Sequence, residues 1–543
     1  MERALLAFCL VLVFAVALTP CRVMGGKIVD VANVGAVAGD GKDDAGAIDA
    51  AIRAAGDGDT VQIGAGTWEI ASAIQARSHV SIVGVGCNLT TIRFIGKSPS
   101  AMLQIKGVSD VVVSKMTLDG DNLVHAAQGI EAENASKLKL SDLRVVNLGA
   151  ASGFGPHGIY FAANVSESVI ANCEMANIGT GSEWGAGIRI SHGSSNNNII
   201  GNTIEKTGRG GILADNDSTD LVIRSNRVSG SGQSGGPKTH GLGIELWRGC
   251  HRSVVEDNRI DHWLSVDSSN QVAVRRNVIF DMTGAHQWAG LELVNAQDDA
   301  FTDNTVDRGA KVGISISGDG PKQRVYWGYN TIRRASTWGA QVQGEAGKAS
   351  RMYFYRNTFT GTARNTPNTL FAPQGHGVRF NGNAQNIVLD SNTIIANQGA
   401  GVQLAGSNLA DLVFQRNAIT NNSQDAVVGD VSGAMWIDNA LTGNGRNTVL
   451  PALVPQVKPP TASVRCSGRA VVGEPISFWL EPAGGVGEIV AVLWDADDGI
   501  PATTATIKHV YATPGKYRVT AVGWDTSGRG VMGEMMLDVQ AKR

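Results

Sequence analysis

Apolar and polar residues alternate in runs of three or four along most of the chain, from about residue 78 to 447. Gly187-Ile188-Arg189-Ile190, Gly243-Ile244-Glu245-Leu246, Gly290-Leu291-Glu292-Leu293 and Gly377-Val378-Arg379-Phe380 show the pattern. A period of two marks a short strand with one buried face. In the middle of the chain each run is followed 12 or 13 residues later by an asparagine inside a second alternation: Glu245 by Asn258, Ser265 by Asn277, Glu292 by Asn304. Asn172, Asn202, Asn226, Asn258, Asn277, Asn304, Asn330, Asn357, Asn392, Asn417 and Asn439 recur at intervals of 19 to 35 residues. A repeat of that length implies stacked supersecondary units, about twelve or thirteen of them. Strands this short, joined by polar turns with no helix between, cannot form βαβ units. Coiled into a parallel helix, each turn bonds to the next and buries a continuous Ile/Val/Leu column. Asparagine suits the left-handed backbone of a sharp bend, and stacked asparagines can bond to one another along the coil.

One helix is predicted, from Asp43 to Ala55, with Ile48 and Ile52 on one face and Asp43 or Asp44 as N-cap. A solenoid leaves its first coil open, and such a helix can close it. The surrounding residues, Gly35-Ala36, Gly39-Asp40-Gly41-Lys42-Asp43-Asp44 and Gly64-Ala65-Gly66-Thr67-Trp68, resemble the N-terminal signature of the pectate-lyase superfamily of right-handed β-helices. Ala65 and Trp68 stand where that family has proline and tyrosine. The repeats likewise resemble those of β-helical polysaccharide lyases and glycosidases. The resemblance implies an all-β chain: a right-handed parallel β-helix solenoid with an N-terminal capping helix. Fold alone does not specify the reaction.

The pattern changes after Pro451, Pro455, Pro459 and Pro460, which read as a stiff linker. Strands are then expected near Ala462–Arg465, Pro475–Glu481, Ile489–Asp495, Ala505–Tyr511, Gly515–Trp524 and Met532–Val539, as in a β-sandwich. Trp494-Asp495-Ala496-Asp497-Asp498-Gly499 and His509 to Tyr517 resemble the two signatures of the PKD family, with Ala496-Asp497 replacing its Phe-Gly. The resemblance implies a PKD/Ig-like sandwich serving as a spacer or a weak carbohydrate or protein binder. The expected organisation is a signal peptide over 1–25, a β-helix domain over 26–447, a linker over 448–460 and a PKD-like domain over 461–543.

Composition narrows the function. Of 543 residues, 68 are glycine and 17% are charged, with a net charge of −3. No basic stripe suits nucleic acid. Arg3 followed by the apolar run Ala4 to Leu18 reads as a bacterial-type export signal, too short to span a bilayer comfortably, and no later segment suits a membrane. A secreted or periplasmic, monomeric protein is expected. The six cysteines are scattered without a CxxC or metal-ligand spacing, and buried free thiols are expected.

In each Gly-apolar-x-apolar run the x side chain points outward. Taken in order, x is Glu131, Tyr160, Arg189, Leu213, Glu245, Ser265, Glu292, Ser315, Gln341, Arg379 and Gln403. At a strand spacing of ~4.8 Å this forms a polar strip long enough for an extended polymer. Glu245 and Glu292 lie two coils apart, roughly 9–10 Å, with Asp267 on the coil between at roughly 5 Å from each. A lone outward glutamate is ordinarily a solvated face. Three carboxylates on consecutive coils supply the separations used by retaining and by inverting glycosidases, and their repulsion raises the pKa of at least one. Glu245, Asp267 and Glu292 are therefore the candidate acid, base or nucleophile. Asp298-Asp299 reads as turn chemistry.

Trp184, Trp247, Trp263, Trp288 and Trp338 fall near outward positions and either stack on sugars or plug loops onto the wall. His157, His240, His286 and His376 precede outward positions by a few residues, which places them on the rim of the strip. Candidate substrate contacts are His157, Tyr160, Arg189, His240, Trp247, Trp263, His286 and Trp288. Phe154-Gly155-Pro156-His157 is similar to a stretch of β-helical alginate C5-epimerases that carries aspartate where Gly155 stands. Arg189 and Arg379 could neutralise uronate carboxylates. Three functions stay open: a glycosidase using the three carboxylates, a uronate lyase or epimerase using Arg, His or Tyr, and a non-catalytic glycan-binding solenoid. No cofactor is required. A lyase could take calcium, but no clustered aspartates on adjacent coils supply a compact ligand set.

Overall fold

The computed structural model describes residues 26–542 except 150–153, 234–240, 281–287, 309–310, 364–373 and 446–458, and not the side chains of 345–348. The expected signal peptide and most of the expected linker lie outside the described residues. Short strands from Ile28–Asp30 to Ala440–Thr442 form one 42-stranded sheet, coiled so that each strand pairs with its equivalent in the next turn. The described pairings within it are parallel, as in Leu242–Trp247 against Trp263–Asp267, and Trp263–Asp267 against Ala289–Val294. This is the parallel β-helix that the alternation predicts.

The helix spans Ala45–Ala54 and buries Ile48, Ala51 and Ile52 over the first coil. Asp44 holds the N-cap position, but its carboxylate accepts from the Val37 amide instead of capping. Asp43 Oδ1 takes the Ala45 amide at 3.1 Å and the Ala71 amide at 2.9 Å, tying the helix start to the coil beneath.

The interior is one apolar column running from Val31 to Trp436. The asparagine ladder is continuous from Asn202 to Asn439. At each step Nδ2 donates to the next Oδ1, as Asn258 does to Asn277 at 2.9 Å and Asn277 to Asn304 at 3.0 Å. The same acceptors take backbone amides, as Asn277 Oδ1 does from Asn258 N at 3.1 Å. Two expectations are corrected. Asn172 is outside the ladder; Cys173 occupies that place and its amide donates to Asn202 Oδ1. The left-handed residue at the bend is not the asparagine but the one before it: Ser225, Asp257, Arg276, Asp303 and Tyr329 all have φ between 55° and 59°. Asparagine is needed for its stacking amide, which satisfies buried backbone donors that have no strand partner.

The C-terminal module packs two three-stranded antiparallel sheets around Phe478, Trp494, Tyr511 and Val519, close to the strand positions read from the sequence. It docks on the flank of the coil away from the polar strip. Leu493, Val522 and Trp524 pack on Ala300, Tyr326, Tyr353 and Val388. Arg275 and Arg276 of the coil reach Asp495 and Asp497 of the PKD-like signature at 3.3 and 3.1 Å, and Arg518 reaches Asp303 at 2.8 Å. The acidic loop of the module is thus engaged in holding it to the solenoid.

Candidate active site

The column read from the sequence exists in register, but much of it is covered: Tyr160, Arg189, Ser265, Glu292, Ser315 and Gln341 are buried and Leu213 joins the apolar core. Glu131, Tyr160, Arg189, Leu213, Glu245, Ser265, Glu292, Ser315, Gln341, Arg379 and Gln403 are successive strand partners. Gln75 and Gln104 extend it at one end and Val428 at the other. Glu245 and Glu292 therefore lie on one face, separated by the coil that carries Ser265. Their backbones are about 9–10 Å apart at two strand spacings.

Asp267 is displaced from this column. It pairs with Trp247 on one side and Val294 on the other, two residues along the strand from Ser265. One strand spacing and two residues of rise put its backbone about 8 Å from those of Glu245 and Glu292, not 5 Å. The separation favours the wider arrangement, with Glu245 and Glu292 as the facing pair.

The two glutamates have different surroundings. Glu292 is 9% exposed and accepts a 2.7 Å hydrogen bond from Ser265 Oγ. Burial pushes its pKa up to about 7, opposed by the Ser265 bond and aided by Glu245 and Asp267. The side chain of Glu245 is 13% exposed, and both its oxygens lie 3.4 Å from Arg209. Burial raises its pKa too, with Arg209 and Arg189 opposing but not cancelling the rise. Asp267, raised by burial, accepts from Ser268 Oγ at 2.7 Å. Near neutral pH, Glu292 is thus placed to hold a proton, and Glu245 has a cation to stabilise its carboxylate.

Ahead of the carboxylates stands an aromatic platform. Phe154, 49% exposed, and Trp184, 37% exposed, have ring centroids 5.8 Å apart. The Arg189 guanidinium lies 4.5 Å from the Phe154 ring and that of Arg209 lies 5.6 Å from the Trp184 ring. Beneath it His157 is fully buried, with Nδ1 2.9 Å from Gln128 Oε1, Nε2 without a hydrogen-bond partner, and its ring 4.7 Å from that of Tyr160. Burial and Arg189 hold His157 well below the usual histidine pKa, so it is neutral. Arg189 is itself buried in an ion pair with buried Asp215.

Other predicted contacts change role. His157 and His376 are buried, not on the rim: each begins its strand and pairs with a buried residue of the coil before it, Gln128 and Trp338. Trp263 belongs to the apolar core, since it begins its strand opposite buried Leu242. Trp288 packs on the core and donates Nε1 to Ser315 Oγ at 3.3 Å. Trp247 stays half-buried beside the strip, with the Arg248 guanidinium 4.0 Å from its ring. His240 and His286 lie outside the described residues. Sequence reasoning missed Asp215 and Arg209. Asp215 stands two residues beyond Leu213, at the offset that singled out Asp267, so reading that second column throughout would have found it. Arg209 comes from a turn and carries no periodic signal. Among the described residues no group of three or more His, Cys, Asp or Glu converges as metal ligands, and Cys87, Cys173, Cys250 and Cys466 are free thiols. No helix among them is long and apolar enough to cross a membrane.

The chain is similar to several solved structures. The A-module of the mannuronan C-5 epimerase AlgE6 of Azotobacter vinelandii matches at 16% identity, covering 74% of this chain and 99% of that one, with a TM-score of 0.46. The alginate lyase of Paenibacillus sp. str. FPU-7 matches at 15%, covering 56% and 95%, with a TM-score of 0.39. The GH87 alpha-1,3-glucanase of Streptomyces thermodiastaticus strain HF3-3 matches at 13%, covering 78% and 69%, with a TM-score of 0.38. At such identities the likeness does not bear on the reaction. No curated protein sequence matches the chain. The family described as PKD domain matches residues 461–530, and that described as right handed beta helix region matches residues 101–262 and 326–444. These last two segments make up more than half of the chain, which therefore belongs to the right-handed β-helix family.

Proposed function

We propose that this protein is an exported, monomeric carbohydrate-active enzyme that hydrolyses a polysaccharide lying along the outward strip. The observation that carries the reading is the stacked trio Glu245–Ser265–Glu292, in which one carboxyl is tuned to hold a proton near neutrality and the other faces an arginine. Glu292 donates its proton to the glycosidic oxygen as the bond to the anomeric carbon breaks. Glu245 takes a proton from the water that attacks that carbon from the opposite side. A separation of two coils leaves room for the water, which fits inversion of configuration. Asp267 adds negative charge beside the developing oxocarbenium ion, and Phe154 with Trp184 offers a stacking face for sugars ahead of the cleavage point.

The test is hydrolysis of a panel of neutral and acidic glycans by wild type, Glu245→Gln and Glu292→Gln, with the anomer of the first product followed by NMR. Loss of turnover in both variants and an inverted product are expected. Full turnover in both would refute the assignment. Binding without turnover by the wild type would identify a glycan-binding solenoid instead.

One observation favours a second reading. Neutral His157 packs against Tyr160 beside Arg189, with an imidazole nitrogen left unpartnered. Tyr160, the more exposed of the two, would exchange the sugar C–H proton in a lyase or epimerase, with buried His157 behind it. An ultraviolet-absorbing unsaturated product, or C5 inversion, that survives Glu292→Gln but not Tyr160→Phe would favour it.

A further inference from the structure

Most cations along the strip are matched by carboxylates. Lys106 pairs with Glu131 and Glu133, Arg189 with Asp215, and Arg209 with Glu245. Arg379 is different. It stands three coils beyond Glu292, through Ser315 and Gln341. Its guanidinium lies 4.6 Å from the centroid of the Trp338 ring, and its buried Nε has no hydrogen-bond partner. Among the described residues no carboxylate pairs with it. Its described strand partners on either side are neutral, Gln341 and Gln403, as are Gln343 and Asn381 in the adjoining column.

A half-buried cation without an anion is costly, and a folded protein ordinarily supplies the missing charge. Removing Arg379 from this setting would relieve that cost. Flat aromatic support beneath a guanidinium also fixes its plane for bidentate contact with a carboxylate or sulfate.

We propose that Arg379, supported by Trp338, is a subsite for an anionic substituent on the polysaccharide, a carboxylate or a sulfate ester, about 14 Å along the strip from Glu292. The substrate is accordingly an acidic polysaccharide, gripped by its charge away from the point of cleavage. This rests on the strip being the glycan site but not on which residues cleave.

The test measures binding, not turnover. Oligouronates, sulfated oligosaccharides and the carboxyl-reduced or desulfated counterpart of each are titrated calorimetrically into wild type, Arg379→Met and Glu292→Gln. Arg379→Met is expected to weaken the best acidic ligand roughly 10- to 100-fold and to leave its neutral counterpart within about twofold. Whether the uronate or the sulfated series shows the loss identifies the anion. Glu292→Gln should keep affinity while losing turnover; if it keeps both and Arg379→Met still loses affinity, the subsite stands and the cleavage reading falls. Without ligand, Arg379→Met should melt at or above the wild-type temperature. Equal affinity of wild type and Arg379→Met for every acidic ligand would overturn the proposal. So would failure of the wild type to bind any of them, or a lower melting temperature of Arg379→Met, which would make Arg379 a packing residue.

Discussion

Replacing Glu292 by glutamine should stabilise the protein and inactivate it, and the stabilisation should depend on pH in a calculable way. Glutamine keeps the shape and the acceptor for Ser265 Oγ but removes the buried charge. The carboxyl has an ordinary value of 4.5 and is pushed up to about 7 in the folded protein. The folded state therefore keeps a proton that the unfolded chain releases. Below pH 4.5 both states hold it and Glu292 adds no penalty. Between 4.5 and 7 the penalty grows, and above 7 it is complete. At 1.36 kcal/mol per pH unit, the interval corresponds to about 3 kcal/mol. With an unfolding entropy near 2.1 cal/mol/K per residue, that is roughly 3 °C in a chain of this size. Paired denaturation curves of wild type and Glu292→Gln at pH 4, 6 and 8 measure it. Coincident melting at pH 4 and a widening gain for the variant up to pH 8 are expected. A difference of the same size at every pH would show that Glu292 is not buried as a proton-holding group, and its role as general acid would go with it. The same proton sets the upper limb of the activity profile, which should decline as pH rises through about 7.

Three further outcomes follow from other parts of the molecule. Asn277→Ala strips the acceptor from both the backbone amide and Nδ2 of Asn258, and should lower stability by about 2–4 kcal/mol in denaturant titration. Trp184→Ala should leave the melting temperature within about 1 °C, because the ring is on the surface, and raise KM roughly tenfold with kcat nearly unchanged. Arg275→Met leaves Asp495 buried without its cation, while Glu256 keeps Arg224 and Arg276; a cost of about 3 kcal/mol should loosen the docked module, read as faster release of residues 461–543 on limited proteolysis.

The sequence by itself determined the coil and the membership of its outward strip. Side-chain direction in a strand is a local property of period two, and the asparagine repeat ties equivalent positions of successive coils together. Glu245, Ser265 and Glu292 could therefore be aligned without coordinates. Depth was a different matter. Trp263 reads the same as Trp184 in sequence, yet one is core and the other a surface platform, because burial depends on what neighbouring coils lay over a residue. The turn that brings Arg209 to Glu245 and the ion pair of Arg189 with Asp215 lie across coils, where sequence distance says nothing about contact. Tertiary structure alone also put Asp495 and Asp497 against Arg275 and Arg276, turning a module that reads as a spacer into part of the solenoid wall. Local alternation fixes which way a side chain points; the dielectric around it, and so its chemistry, belongs to the assembled fold.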